Sequence, residues 1–400
     1  MLNIVFHKGE SKGSPFLFLK KDNSNKMKKV IGIFYDASFY ETSFEIGCGG
    51  SETWCIQISK EFVRQGYHVT VFCNTEWMFS NSGVEYVPIS LFEHRCTYQH
   101  FDCFILTRTF NSYLYDVVAS TGCIKIFLQS HDMCVWNHKV YYEKFMYDDS
   151  FSERFPCFEK FVALTEFHKT ELMEHNNIPE HMIAIIGNGV DSDVYSSIDS
   201  SDIEKDNSIL FPTVYSRGGD ILVNHVAPLV RKEIPDFEVH LCGYVHNYPE
   251  DVPAKEYVKV LGTLSKEEYY KEFYKHKVWF LPCTVVEDFG ICAAEAVMCG
   301  CDIVSPFLHG MKDVCWPFVN LKMDNQFKTV ESSEYHRSTY ELNMSNDELE
   351  IAVQEAADRI VDVIRNYDNR DRKNLREAFK KFILGTHTWE NVVKRWIEIF

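Results

Sequence analysis

Two glutamates eight positions apart, Glu287 and Glu295 in the string Glu287-Asp288-Phe289-Gly290-Ile291-Cys292-Ala293-Ala294-Glu295, carry the most specific chemical signal in the sequence. The string follows an apolar run ending at Pro282, and its alanine-rich middle leads to Gly300 and a second apolar run from Asp302 to Ser305. It reads as loop, helix, turn and strand. A helix beginning near Phe289 leaves Glu287 in the loop and places Glu295 about two turns in, roughly 9 Å along at about 1.5 Å per residue. The free amides of the first turn lie between them, and such a helix start binds anionic oxygens. A diphosphate held there, with one carboxylate accepting from sugar hydroxyls and the other from a ribose, is the chemistry this spacing offers. The plain alternative is a charged loop residue followed by a helix-surface glutamate.

Four further groups stand out along the chain. Arg217 stands in Ser216-Arg217-Gly218-Gly219-Asp220, where a solvated loop arginine is the plain reading. Gly49 and Gly50, in Gly47-Cys48-Gly49-Gly50-Ser51-Glu52, would let backbone approach a ligand closely. As a dinucleotide fingerprint this loop lacks the third glycine and begins about a dozen residues after its strand, which argues against NAD. Glu52 reads equally as a helix-start carboxylate favoured by the dipole. His131 and Asp132 follow an apolar run, where α/β sheets place ligand contacts, with Asp132 able to orient the imidazole. Asn188 stands in Asn188-Gly189-Val190-Asp191.

The elements that must position these groups alternate between strand and helix. Val30 to Tyr35 is β-branched and aromatic, Ser51 to Gln65 has helical spacing of Trp54, Ile58 and Phe62, and strands follow at 67–74, 101–107 and 123–129. After the polar stretch 191–208 a second series begins, with strands at 209–214, 237–242, 257–261, 278–282 and 302–305 and a helix through Val226 and Val230. The expected fold class is α/β: two doubly wound, Rossmann-like domains facing a central cleft, with ligand at the carboxyl ends of the strands. The divisions are a leader at 1–27, an N-terminal domain at 28–195, a C-terminal domain at 206–370 and a terminal helical segment at 371–400 that crosses back.

With 400 residues, 46% hydrophobic, the chain can bury sizeable cores in two to three domains of about 100 to 200 residues. A formal net charge of −17 argues against a general nucleic-acid binder. The 14 cysteines are too dilute for a disulfide scaffold and stand where apolar residues would serve, as free thiols in a reducing compartment do. No CxxC or HExxH occurs, so no metal site is expected. No apolar run reaches the roughly 18 residues of a membrane span. Residues 1–29 carry seven lysines against Glu10 and Asp22 and lack a signal-peptide core, so they read as a disordered leader, with Met27 as an alternative start. A peripheral contact of these lysines with anionic lipid is the other reading. A cytoplasmic location is expected, peripheral at a membrane on that second reading.

The Glu-x7-Glu string with its Phe-Gly, Gly300, Ser305 and Gly310 resembles the donor site of the retaining GT-B glycosyltransferases of family 4. The glycine loop, Gln129-Ser130-His131-Asp132, the Asn188 turn, the Arg217 loop and Thr388-Trp389-Glu390 resemble further family segments in order and spacing, over roughly residues 28–400. The resemblance implies a hexosyltransferase that moves a sugar from a UDP-, GDP- or ADP-linked donor to a glycan, lipid or other acceptor. Transfer would proceed with retention and without metal or resident cofactor. It further implies His131 and Glu287 as catalytic, Gly49, Gly50, Arg217, Phe289, Gly290, Ile291 and Glu295 as donor-binding, and Asp132 and Asn188 as acceptor-side or orienting. Many members add a lysine a few residues after the arginine, and this chain has none between Arg217 and Asp220. Two other readings stand beside this one: a GT-B phosphorylase acting on a disaccharide, and a non-catalytic subunit that binds sugar nucleotide.

Overall fold

Each apolar run that can pair on both sides becomes an interior strand, and the two series form two separate parallel sheets. The computed structural model describes residues 29–39, 44–45, 48–108, 112–131, 152–243, 252, 254–315, 322–331 and 340–400. The expected leader, Gly47 and Asp132 lie outside the described residues.

The first sheet contains β1 (Val30–Ser38), β2 (His68–Asn74), β3 (Phe79–Asn81), β4 (Val84–Pro88), β5 (Cys103–Thr107), β6 (Ile126–Gln129), β7 (Lys160–Ala163) and β8 (Ile183–Ile185). Their order is β3-β4-β2-β1-β5-β6-β7-β8, parallel throughout except for β3 against β4. The second contains β9 (Asp206–Phe211), β10 (Glu238–Cys242), β11 (Val258–Gly262), β12 (His276–Phe280) and β13 (Asp302–Val304), all parallel in the order β11-β10-β9-β12-β13. The winding direction reverses between β1 and β5 in one sheet and between β9 and β12 in the other, the positions where such sheets hold ligands. β9 and β12 each end earlier than the sequence suggests. Pro212 and Pro282 have no N–H to continue a ladder, so pairing stops at Phe211 and Phe280.

Seven helices matter to the site: α1 (Gly50–Arg64), α2 (Glu166–Asn176), α3 (Lys266–Lys275), α4 (Ile291–Met298), α5 (Asn346–Arg365), α6 (Arg370–Thr386) and α7 (Trp389–Ile399). The expected stripe of α1, Trp54, Ile58 and Phe62, is fully buried, and Trp54 and Phe62 pack on Trp396 and Phe400 of the terminal segment. Fully burying side chains of this kind stabilises by about 2–3 kcal/mol each, which fastens the C-terminus to the first domain. The helical segment 219–233 contains a π turn at Leu222–Val226, two residues short of Pro228, whose missing N–H breaks the i→i−4 ladder.

The crossing back is shorter than the expected 371–400. Arg372 and Arg376 on α6 bind the buried Asp302 carboxylate at 3.2 and 2.9 Å, and Phe379 and Ile383 join the second core. These contacts hold α6 on the second domain. The chain crosses at His387 and Thr388, where Val190 N–H donates to His387 O at 2.6 Å and Val190 pairs with Thr388. Only α7 packs in the first core, through Trp389, Val392, Val393 and Trp396. No helix among the described residues is long and apolar enough to cross a membrane.

Candidate active site

The loops after β9 and β12 meet because Gly218 has no side chain. It sits at φ +107°, and a Cβ there would lie 2.2 Å from Pro282 Cγ. That approach brings Arg217 to Glu287, with Arg217 Nη1 3.1 Å from Glu287 Oε1. Arg217 Nε is buried without a hydrogen-bond partner, a donor still available to an anion. Burial raises the carboxyl of Glu287 above the usual glutamate value, and the guanidinium opposes that rise. The loop is braced from behind by Gly310, whose amide donates to Glu287 O at 2.8 Å and whose Cβ, if present, would lie 2.1 Å from Asp288 O. From the first domain, Thr165 Oγ1 donates to the same Asp288 carbonyl at 2.9 Å.

Helix α4 begins at Ile291, because Gly290 occupies the N-cap at φ +83°. The expected start near Phe289 is therefore two residues early. Glu295 is the fifth helical residue, about 6 Å along the axis at about 1.5 Å per residue, not roughly 9 Å. Both its oxygens accept phenolic hydrogen bonds, from Tyr269 OH at 2.9 Å and Tyr270 OH at 3.1 Å. Burial raises its carboxyl to about 7, and the two phenols and Lys266 hold it from going higher.

Across the cleft, Gly49 caps α1 and Gly50 opens it. A Cβ on Gly50 would be 3.6 Å from Ile291 Cδ1, so the N-termini of α1 and α4 are in contact. Glu52 curls back over the start of its own helix, accepting from Ser51 Oγ at 3.3 Å, which is the plain helix-start role. His131 packs edge-on against Trp54 at 4.9 Å, and its Nε2 is buried without a partner. Burial, with Arg108 and His168 adding to it, pushes this imidazole well below its usual pKa, so it is neutral at pH 7. Asn188 is 4% exposed with Oδ1 buried and unpartnered. Its flanking glycines allow the domain joint to close. A Cβ on Gly187 would be 2.7 Å from the Phe289 ring, and one on Gly189 2.7 Å from Trp389 N. Phe289 is 2% exposed and lies 5.1 Å from His387, so its ring serves this joint.

Gly50, Lys266, Tyr269, Ile291, Cys292 and Glu295 line one cavity between the domains, of about 100 Å³. Small-molecule sites usually need about 300–1,000 Å³, so a ligand of that size enters only if the cleft widens. The structure thus unites Gly50, Ile291 and Glu295 in one cavity and Arg217 with Glu287 in a pair beside it. His131 lines neither. Lys266, Tyr269 and Tyr270 are site residues that sequence reasoning missed. The available signal was the capping box Ser265-x-x-Glu268, present in the structure, which fixes Lys266 at the first position of α3 and its tyrosines one turn on. Lys266 supplies a second cation facing the cavity. Among the described residues, the group at metal-ligand spacing lies elsewhere, at His240, Glu272 and His276.

Comparison with known proteins agrees with this architecture. Residues 48–194 match the model of Glycosyltransferase Family 4. No curated protein matches the chain. Among solved structures, a glycosyltransferase from Rickettsia africae ESF-5 is 15% identical with a TM-score of 0.64, covering 93% of this chain and 97% of that one. Sucrose-phosphate synthase from Thermosynechococcus elongatus is 13% identical with a TM-score of 0.60, covering 93% and 98%. HepE from Anabaena in complex with UDP-glucose is 14% identical with a TM-score of 0.57, covering 92% and 98%. The chain has the GT-B fold of these proteins.

Proposed function

We propose that the chain is a glycosyltransferase that moves a hexosyl group from a nucleotide sugar to a hydroxyl of a glycan, lipid or other acceptor, with retention of configuration. The observation that carries this reading is the meeting of two helix N-termini across the cleft, Gly50 against Ile291, with Glu295 in the same cavity and the Arg217–Glu287 pair at the adjoining strand ends. The family match over 48–194 and the likeness to a structure holding UDP-glucose support it.

In this account the bond between the anomeric carbon and the diphosphate breaks and one to the acceptor oxygen forms, releasing nucleoside diphosphate and a proton. The first amides of α4 have no acceptor within their own helix. Together with Arg217 Nε they stabilise charge as it gathers on the leaving diphosphate. No metal or resident cofactor is needed in that role. Glu287 accepts from sugar hydroxyls, and Glu295 accepts from the ribose once Tyr269 and Tyr270 yield. His131, neutral in its pocket, reaches the transferred sugar through Nε2 only as the cleft widens, as a hydrogen-bonding group rather than as a cation. Asn188 and the adjoining glycines orient the joint on the acceptor side, and closure excludes water from the reacting centre. Incubating the purified chain with UDP-, GDP- and ADP-sugars without added divalent metal tests the proposal. Nucleoside diphosphate released from one donor, with the product keeping the donor's anomeric configuration by NMR, is the expected result. An inverted product removes retention, and phosphate-dependent release of sugar 1-phosphate replaces the proposal with a phosphorylase.

A further inference from the structure

Where α3 meets β10 and β12, two imidazoles and a carboxylate share one buried space. His240 is the third residue of β10, His276 opens β12, and Glu272 lies one turn before His276 on α3. They are 5%, 0% and 7% exposed, and each offers a ligand atom within 4.8 Å of the others. The outer nitrogen of each imidazole is already held. His276 Nδ1 lies 2.6 Å from Ser208 Oγ, and His240 Nε2 lies 3.2 Å from Glu238 Oε2. Both inner nitrogens face the same oxygen, Glu272 Oε1, at 2.6 Å from His240 Nδ1 and 3.6 Å from His276 Nε2. The second separation is beyond hydrogen-bond reach, and His276 Nε2 is a buried polar atom without a partner. Lys275 Nζ, 2.5 Å from Glu272 Oε2, fixes the carboxylate so that Oε1 points inward.

We propose that His240 Nδ1, His276 Nε2 and Glu272 Oε1 form a binding site for a divalent first-row cation of the Zn(II) class. Ligand atoms about 2.0–2.1 Å from a tetrahedral ion lie about 3.3 Å apart, and the two separations above bracket that spacing. Two imidazoles and one carboxylate are a donor set such ions favour, with water completing the sphere. Ser208 and Glu238 set the tautomer of each ring from behind, as partners of metal-bound histidines do. The nearby charged groups, Lys275, Lys259 and Asp206, sit on the outer side of the ligands. Since Glu272 belongs to the helix that carries Tyr269 and Tyr270, the ion fastens to the sheet the element that holds Glu295. The inference stands independently of the proposed reaction.

The test uses the full chain stripped with chelator, loaded with Zn(II), freed of excess and assayed for retained metal, with Co(II) loaded in parallel and read by visible absorption. About one ion per chain is expected, with cobalt bands that lack the near-ultraviolet charge transfer of thiolate ligands. His276→Asn should lose the ion. Glu238→Gln, altered at a partly exposed residue outside the ligand set, should fold normally and bind about 10–100-fold more weakly. It decides the matter if His276→Asn does not fold. Absence of retained metal, a thiolate charge-transfer band, or wild-type affinity in Glu238→Gln would overturn the proposal.

Discussion

Glu287 and Glu295 are the same residue type, flank the start of the same helix, and are both raised by burial. Their partners differ. Glu287 faces a guanidinium at 3.1 Å, which favours the charged form, whereas Glu295 faces two phenols and sits near pH 7 in its titration. A guanidinium in contact favours the charged carboxylate strongly, while a carboxyl at the edge of ionisation can be held mainly by hydroxyl donors, with the Lys266 charge adding to them. In the proposed reaction the comparison separates two tasks: Glu287 would supply charge beside the reacting sugar, and Glu295, held by Tyr269 and Tyr270 in the structure, would recognise hydroxyls in their place.

The largest expected effect sharpens the first half of that contrast. Glu287→Ala should lower kcat by about 10²–10³-fold, the usual size of losing one preorganised polar group at a transition state. Circular dichroism and melting temperature should stay near wild type, and retained activity would break the assignment. The second effect concerns stability. The folded Glu295 carboxyl titrates near 7 against 4.5 when unfolded, so between those values the native state holds the proton and the unfolded state does not. Stability from this group is therefore full below about pH 4.5 and lost as pH rises through 7, by about 3 kcal/mol at 1.36 kcal/mol per unit. Glu295→Gln should flatten that decline, measured as the difference between variant and wild-type urea midpoints from pH 4.5 to 7.5. Equal slopes would show that Glu295 does not titrate there. The smallest effect tests its donors: Tyr269→Phe should cost about 1 kcal/mol and move the Glu295 midpoint upward, whereas Glu287-dependent turnover should persist.

Much of the fold was readable in the sequence where signals were long. The Trp54, Ile58, Phe62 stripe and the apolar runs between 209 and 305 named α1 and the second sheet's strands within a few residues. Strands β3, β7 and β8 have only three or four residues, too few for a period to show. The crossing point was misplaced because Asp302, which holds Arg372 and Arg376, is about 70 positions away in sequence. At the site, the Glu-x7-Glu spacing and Arg217 were legible locally, and their pairing is three-dimensional. Lys266 and the two tyrosines stayed hidden for the opposite reason: their helix reads as ordinary amphipathic sequence, and only the packing of α3 beside α4 gives them a target.

In the proposed reaction Arg217 and the start of α4 hold the diphosphate of a nucleotide sugar, which calorimetric titration of UDP, GDP and ADP into wild type and Arg217→Gln tests most directly. One nucleotide should bind wild type without divalent metal, and the variant should bind it about 10–150-fold more weakly, the 1.5–3 kcal/mol of a charge-assisted contact. Binding of equal strength in both proteins, or no binding of any nucleotide to either, would contradict it.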